Sequence, residues 1–218
     1  EAAMKLRLIF LLCVLSHLIH PTTSGAQWAA DGNALCTATG SQGGGGAISD
    51  GAGGAIVVWA DSRNGNSDIY AQRVNALGVA QWTADGVAVR AGGSSQSNPT
   101  IASDGAGGAI IFFTHLPNNG ATDIYAQRIN SAGVIQWTTD GVLICGAQRD
   151  QYSPRAVSDG AGGAIVAWLD NRDAKGVHLA MEFLTANTRH QLDHSFDGTN
   201  PALNATGKDV VVIGGGVI

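Results

Sequence analysis

Short apolar runs alternating with glycines and polar turns make up most of this chain. In its middle, residues 109–113 are an apolar run rich in β-forming side chains, too short for a helix and preceded by Gly107 and Gly108. Downstream, residues 123–129 alternate apolar and polar side chains with a period of two, as in a half-buried strand. No helical periodicity occurs between residues 27 and 173. The pattern therefore predicts a β structure over this region.

Turn signals join these runs into hairpins. Residues 100–103 are a second predicted strand, and Asp104 with its following glycines supplies the positive-φ positions of a tight turn. Asn119 followed by Gly120 is typical of the next hairpin. A further turn leads to a fourth predicted strand at residues 134–137. We therefore expect four short antiparallel strands in meander order.

The same pattern occurs three times along the chain. Gln-Trp pairs and SDGAGGAI blocks both recur at spacings of 54 and 55 residues. Self-similarity at such a period marks one supersecondary unit copied along the chain, and such a unit buries its apolar face only against its neighbours. The recurring positions are Trp28, Trp82 and Trp137 in the pairs and Asp50, Asp104 and Asp159 in the blocks.

Four strands in about fifty residues are typical of a β-propeller blade. On these blocks, residues 27–173 resemble the tandem repeats of secreted bacterial β-propeller proteins, with copies at about 27–80, 81–135 and 136–173. The third copy lacks the DIYAQR strand of the others. The sequence therefore predicts an all-β array of four-stranded antiparallel meanders, an incomplete propeller of fewer than three full blades. It is either a fragment of a larger propeller or a short open array whose sheet edges favour self-association.

The first 26 residues have the pattern of a leader and secretory signal peptide. Lys5 and Arg7 precede a mostly apolar stretch at residues 8–19, and small residues follow at 24–26. A stretch of about twelve residues is shorter than the roughly twenty that a membrane-spanning helix needs. We therefore expect export to the cell surface or the medium, with no membrane span after cleavage.

Composition argues against several classes of function. The formal net charge is −5, and no basic stripe interleaved with aromatics indicates nucleic-acid binding. The repeats contain one histidine, His115, and their carboxylates recur in turns, so the sequence predicts no catalytic residues. Cys36 and Cys145 occupy equivalent positions two repeats apart, which predicts two unpaired thiols.

One loop of the first copy has the donor types of a calcium site. Asp61, Asn64, Asn66 and Asp68 place four oxygen-bearing side chains close together in sequence. The alternative is a hairpin that uses these side chains to satisfy its own backbone. A sequence alignment of the copies sets Thr114 at the position of Asp61, so the loop chemistry does not recur, and we predict no metal site.

Four tryptophans are candidates for a ligand-binding face. Aromatic rings stack on sugars, which suggests a module that binds a glycan or a protein. Their recurrence at equivalent repeat positions equally suggests packing between neighbouring copies. These residues are Trp59, Trp82, Trp137 and Trp168.

The pattern changes after Asp173, where residues 177–192 carry apolar side chains at steps of three and four and predict a helix. An apolar strand at residues 210–213 then runs into glycines. With its flanking KGVHLAMEFL, TANT and GKDVVVIGGG, the tail from 175 to 218 resembles the small subunit of glutamate synthase and related FAD- and NADPH-dependent oxidoreductases. The chain is thus expected to end in a short α/β tail, residues 174–218, of one helix and one strand.

The resemblance implies that Gly214 and Gly216 correspond to the first two glycines around a dinucleotide pyrophosphate. The third glycine is absent, so no cofactor is expected here, although NADPH and FAD serve the intact relatives. We hypothesise a junction of two unrelated sequences near residue 173. The main interpretation is a secreted noncatalytic binding or scaffolding module, and the alternative is an oxidoreductase fragment that is inactive alone. His190 and His194 have the spacing of helix-borne metal ligands, but the polar residues between them favour a solvated helix end.

Overall fold

The computed structural model describes residues 28–29, 31–117, 120–171 and 178–184. These residues form eleven β-strands and no helix, which confirms the all-β prediction. None of them builds an apolar helix of membrane-spanning length. The predicted signal peptide, the histidine pair at 190 and 194, and Gly214 and Gly216 lie outside the described residues.

The strands form three antiparallel sheets whose strands follow one another in chain order. The first sheet contains β1 (Gln42–Ser49), β2 (Ala55–Asp61), β3 (Asp68–Val74) and β4 (Val87–Arg90). The second sheet contains β5 (Ser95–Ser103), β6 (Ala109–Leu116), β7 (Asp123–Ile129) and β8 (Val142–Cys145). The third sheet contains β9 (Gln151–Ser158), β10 (Ala164–Asp170) and β11 (His178–Leu184).

The fourth strand lies later in each copy than the sequence predicts. Residues 134–137 make only a single bridge, between Ile135 and Ile129, and strand β8 follows instead. The buried Gln127 side chain accounts for this, because its amide donates to the Thr138 carbonyl (2.7 Å) and accepts from the Trp137 amide (3.2 Å). These bonds satisfy backbone groups that a strand ladder would otherwise pair. The Gln-Trp pairs at residues 81–82 and 136–137 each lie just before the last strand of a sheet. The sheets therefore do not begin where we set the beginning of the repeats.

The predicted helix in the tail is wrong over residues 178–184, which form strand β11. It pairs with β10 along its whole length, from Ala164 opposite Leu184 to Asp170 opposite His178. Without β11, the backbone N–H and C=O groups on this edge of β10 would have no strand to pair with. Hydrogen bonding to these groups favours a strand here more than the spacing of apolar side chains favours a helix. The tail thus supplies the strand that the third repeat lacks in sequence.

Two hydrophobic cores lie between the three sheets. Strand β6 is central because it faces both cores, with Ile111 and Phe113 in the first and Ile110 and Phe112 in the second. All four side chains are fully buried. Because side chains of a strand alternate between faces, a strand covered on both sides requires an unbroken apolar run. The run at residues 109–113 is the sequence signature of this middle position.

The sheets stack face to face in chain order. Strand β5 contacts all three long strands of the first sheet, and β9 does the same to the second sheet. Polar contacts fasten the outer part of the first interface, where Trp82 Nε1 and Arg73 Nη1 both donate to the Ser131 carbonyl at 3.1 Å. Each sheet thus depends on its neighbour, as expected for a repeat protein.

Candidate functional site

The repeated aspartates at the first turn of each sheet are used by the fold. Asp104 Oδ1 accepts hydrogen bonds from the amides of Ala106 (2.9 Å) and Gly108 (2.8 Å), and its Oδ2 pairs with Arg128 (3.0 Å). Asp50 repeats this arrangement with Arg73. The Ala52 amide chiefly lowers the pKa of Asp50, although burial opposes it. These carboxylates close turns and are not available to a substrate.

A polar cluster lies at the other end of the first sheet, and we call it the Asp61 cluster. It consists of Cys36, Trp59, Asp61, Arg63 and Tyr70. Asp61 is fully buried and accepts hydrogen bonds from Trp59 Nε1 at 2.9 Å and from the Arg63 amide at 2.9 Å. The Arg63 guanidinium completes the set at 2.5 Å. The buried carboxylate is therefore neutralised by a charged partner.

Arg63 is held on several sides at once. Its guanidinium carbon lies 3.8 Å from the centroid of the Tyr70 ring, in cation–π geometry. Its Nη2 also donates to the Asp85 carbonyl (2.8 Å) and to Cys36 Sγ (3.1 Å). Cys36 carries a free thiol, half-buried beside this cation. The cation and its carboxylate thus fasten the loop after β2 to the segments around residues 36 and 85.

The electrostatics of Asp61 follow from this setting. Burial alone would raise the pKa of the carboxyl, but hydrogen bonds from Arg63 and Trp59 outweigh burial and hold the pKa far below its usual 3.8. The carboxyl group is therefore ionised at every pH at which the protein is normally handled. It is suited to fixing an arginine and unsuited to exchanging protons with a substrate.

Asp61 predicts a specific dependence of stability on pH. Because its pKa is lowered on folding, the stabilisation is complete above the unfolded pKa, about 4, and is lost as the pH falls towards the folded value. We expect Asp61→Asn to lower the melting temperature at pH 7 and to make its decline below about pH 4 shallower. Asp31→Asn, at an exposed carboxylate, is the control. Melting curves that keep the wild-type acid dependence in Asp61→Asn would contradict this assignment.

The second sheet fills the same guanidinium position from a different strand. Arg90 lies 5.0 Å over the Tyr125 ring and donates to the Asp140 carbonyl at 2.7 Å. Tyr125 and Asp140 are the repeat equivalents of Tyr70 and Asp85. In the first sheet the arginine comes from the loop after the second strand, whereas in the second sheet it comes from β4, the last strand of the sheet before. We did not predict this site from the sequence. Its signal is that an arginine, Arg90, replaces Cys36 at one repeat position, while Pro117 replaces Arg63 at the other.

The strand register also corrects the alignment of the Asp61 position. Asp61 stands opposite Asp68, and His115 stands opposite Asp123, so His115 and not Thr114 is the counterpart of Asp61. His115 is buried, with its ring edge-on to Tyr125 at 5.2 Å. Burial, and then Arg90, lower the pKa of His115, while Asp140 opposes them. A neutral imidazole therefore replaces the ion pair of the first sheet.

The candidate calcium loop does not converge on a cation. Asn64 donates to Asp68 (3.1 Å) and to the Tyr70 hydroxyl (3.2 Å), while Asn66 donates to the Gly93 carbonyl (2.6 Å). Asp68 also accepts from the Gly92 amide at 2.9 Å, and Asp61 is turned towards Arg63. Where side chains are described, no three His, Cys, Asp or Glu residues group as metal ligands. The side chains of this loop are thus engaged with one another, with Tyr70 and with the segment after β4.

The structure divides the four candidate tryptophans between different surroundings. Trp59 and Trp168 are buried and donate to Asp61 (2.9 Å) and Asp170 (3.4 Å). Trp82 packs on the first core, whereas Trp137 packs on the second. The four rings do not line one surface, and three of them lie at interfaces between sheets.

An open groove lies on the outer face of the first sheet. It encloses about 540 Å³ and is lined mainly by small and apolar groups. Strand β1 contributes a run of glycines, β2 contributes Val57 and Trp59, and the segment before β1 contributes Leu35 and Cys36. The corresponding face of the second sheet is covered by the first sheet. The groove is therefore a repeat face that no other described sheet covers.

Comparison with known proteins gives partial matches. The chain is 32% identical over 120 residues to the glutamate synthase (NADPH) small chain of Bacillus subtilis, which covers 52% of this chain and 24% of that protein. It is 54% identical over 48 residues to glutamate synthase (NADH) of Schizosaccharomyces pombe, which covers 22% of this chain and 2% of that protein. The chain thus spans at most about a quarter of the curated relatives it matches.

These matches support the oxidoreductase-like segment, and no known family profile matches the chain. The resemblance of the repeats to secreted propeller proteins has no support from sequence comparison. Among solved structures, an endo-arabinase from Bacteroides thetaiotaomicron shares 14% identity and a TM-score of 0.46 over 70% of this chain and 59% of that one.

Proposed function

We propose that the repeats form a noncatalytic propeller-type module, exported from the cell, that binds a protein or a glycan and belongs to a larger array. The supporting observation is a difference between the two ends of the sheets. At one end, the turns carry the recurring SDGAGG and Asn-Ala/Ser-x-Gly sequences and close on their own aspartates and asparagines. This end is the same in the first two sheets and serves the fold.

The opposite end differs from copy to copy. The loop between the second and third strands reads SRNGNS in the first sheet and PNNGAT in the second. The loop that leads into the next sheet reads AGGS after β4 and GAQRD after β8. A constant frame that presents variable loops at one end is the usual arrangement of binding modules. We therefore place the ligand-binding surface at this end.

A glycan array, together with cross-linking to exported proteins, tests this proposal. The purified chain is compared with a variant in which Ala147, Gln148 and Arg149, in the loop after β8, are replaced by Gly or Ser, while Asp150 is kept because it accepts hydrogen bonds from Thr122. We expect a ligand of the wild-type chain to be lost from the variant while the melting temperature changes little. A matched control exchanges Leu77 and Val79, exposed residues in the opposite-end turn, for serine. Absence of any ligand, or loss of binding only in the control, would contradict the proposal.

The second candidate is a fragment of an oxidoreductase related to the glutamate synthase small chain. The 54% identity over 48 residues favours it. Such a piece is expected to be inactive alone, since the match covers only 24% of the Bacillus subtilis small chain and 2% of the Schizosaccharomyces pombe enzyme. Absorbance of the purified chain near the flavin bands and an NADPH-oxidation assay decide between the two. The binding-module proposal predicts neither signal.

A further inference from the structure

The third sheet has one strand fewer than its neighbours among the described residues. In the first two sheets a short fourth strand, β4 or β8, pairs with the third strand. In the third sheet the equivalent place is beside β11. An exposed strand edge of this kind presents unpaired backbone donors and acceptors and is a template for pairing with another chain.

Residues 33–36 occupy the repeat positions of such a fourth strand. By the 54- and 55-residue spacing, Leu35 corresponds to Val89 of β4 and to Ile144 of β8. Val89 and Ile144 are buried in the two cores, whereas Leu35 is only half-buried. The segment itself belongs to no strand. It therefore has the sequence of a fourth strand, but among the described residues no third strand pairs with it.

The residues around this segment dock on the first sheet as though they ended a preceding sheet. A Cβ added at Gly78 would lie 3.1 Å from the Trp28 ring, and one added at Gly133 would lie 2.8 Å from the Trp82 ring. The two tryptophans thus cover equivalent turns of successive sheets. Trp82 belongs to the sheet that precedes its turn, and for Trp28 the described residues contain no such sheet.

The face that would complete this interface is present on the third sheet. In the third sheet Val157 pairs opposite Ile165, just as Ile48 pairs opposite Ile56 in the first sheet. Val157 is therefore the equivalent of Ile48, and Ile165 of Ile56. Ile56 is fully buried in the first core and Ile48 packs on it, whereas Val157 is 61% exposed. The third sheet thus retains the apolar face that its counterpart buries, and the groove on the first sheet is the surface that such a face covers.

We propose that a second copy of this chain occupies the groove. Its third sheet packs on the first sheet of its partner, and residues 33–36 of that partner complete the third sheet as its fourth strand beside β11. The first and third of the three described sheets are both used, so two copies form a ring of six sheets. Six lies within the four to eight blades with which propellers close.

The register of the completed sheet gives the proposal a precise contact. Arg90 pairs opposite Ile69 in the first sheet, and Cys145 pairs opposite Ile124 in the second. On β11 the residue equivalent to Ile69 is Leu179. Ile69 lies opposite Ala60, and Leu179 lies opposite Leu169, which is the repeat equivalent of Ala60. Cys36 of one copy is therefore expected opposite Leu179 of the other, within disulfide range.

Molar mass of the full chain in solution is the first test. Light scattering coupled to size exclusion is expected to give the mass of two copies for the wild type and of one copy for Val157→Asp. Val134→Asp is the matched control, because Val134 is 55% exposed but lies in a turn of the second sheet. A wild type of single-copy mass, or a Val157→Asp variant as associated as the control, would overturn the proposal.

Cross-linking tests the contact itself. With Cys13 and Cys145 replaced by serine, so that Cys36 is the one native cysteine left, Leu179→Cys should form a disulfide-linked dimer under mild oxidation, visible without reductant on a denaturing gel. The band should disappear in Leu179→Cys combined with Cys36→Ser. If a linked dimer persists in the double variant, or none forms in the single one, strand completion by residues 33–36 is excluded. Neither result depends on the ligand proposed above, so the two proposals fail separately.

Discussion

Replacing Phe112 with alanine should lower the free energy of unfolding by about 3–5 kcal/mol, the usual cost of removing a buried aromatic ring. Phe112 is fully buried in the second core, on the strand that both neighbouring sheets cover. Strand β6 is paired on both sides, so its backbone cannot shift to fill the cavity without disturbing two ladders. The loss should therefore fall near the upper part of this range.

Urea unfolding followed by circular dichroism measures this effect. Leu116→Ala is the control, because Leu116 is the last residue of the same strand and is 48% exposed. The control should change the free energy of unfolding by less than about 1 kcal/mol. Equal losses in the two variants would show that β6 is not sandwiched between two sheets.

Asp104→Ala is the second substitution with a large expected effect. It removes a buried carboxylate, leaving the Ala106 and Gly108 amides and the Arg128 guanidinium without their acceptor. Breaking a buried pair from one side typically costs about 3–5 kcal/mol, because the remaining charge is left uncompensated. Since Arg128 is about one-fifth exposed, water will offset part of this cost and the loss should lie near 3 kcal/mol.

The third sheet offers a matched control for this prediction. Asp159 makes the same two turn bonds, to the amides of Ala161 (2.7 Å) and Gly163 (2.8 Å). The strand position of Arg128, opposite Ile110, is held by Phe183, opposite Ile165, in that sheet. Asp159→Ala should therefore cost only about 1–2 kcal/mol. Urea unfolding measures both losses of stability. Equal losses of unfolding free energy for Asp104→Ala and Asp159→Ala would show that the ion pair with Arg128 does not contribute.

The repeat and its three longer strands were predictable from the sequence because they depend on local pattern. The run at residues 109–113 and the alternation at 123–129 lie within β6 and β7. The Asp-Gly turn before β6 forms as predicted, with Asp104 closing it. Each signal requires only side-chain periodicity and turn chemistry within ten residues.

The fourth strand was misplaced because its position depends on a distant side chain. Residues 134–137 are as apolar as a strand, but Gln127 from the adjacent strand captures the backbone of this segment. The tail was misread for a similar reason. Its three- and four-residue spacing indicates a helix, yet pairing with β10 fixes residues 178–184 as a strand. Tertiary hydrogen bonding outweighed local pattern in both places.

The guanidinium site was hidden because equivalent chemistry comes from non-equivalent positions. Arg63 and Arg90 both cover a repeated tyrosine, but Arg63 belongs to the same sheet as its tyrosine, whereas Arg90 belongs to the sheet before its tyrosine. An alignment of the copies shows Cys36 against Arg90 and Arg63 against Pro117, two exchanges that the sequence alone does not connect. Setting Thr114 against Asp61 was a one-residue error of alignment, since the 54-residue spacing of the SDGAGGAI blocks and the register through Asp123 both identify His115 as the counterpart.

Cross-strand contacts measured by nuclear magnetic resonance test the central claim, that successive copies fold as equivalent antiparallel sheets. Ile111 lies opposite Ile101 and Gln127 in the second sheet, and Val57 lies opposite Ala47 and Gln72 in the first. We expect backbone Overhauser contacts for these pairs in both copies. Sequential helical contacts through the GGAI segments, or cross-strand contacts in one copy with a different register in the other, would contradict the structure described.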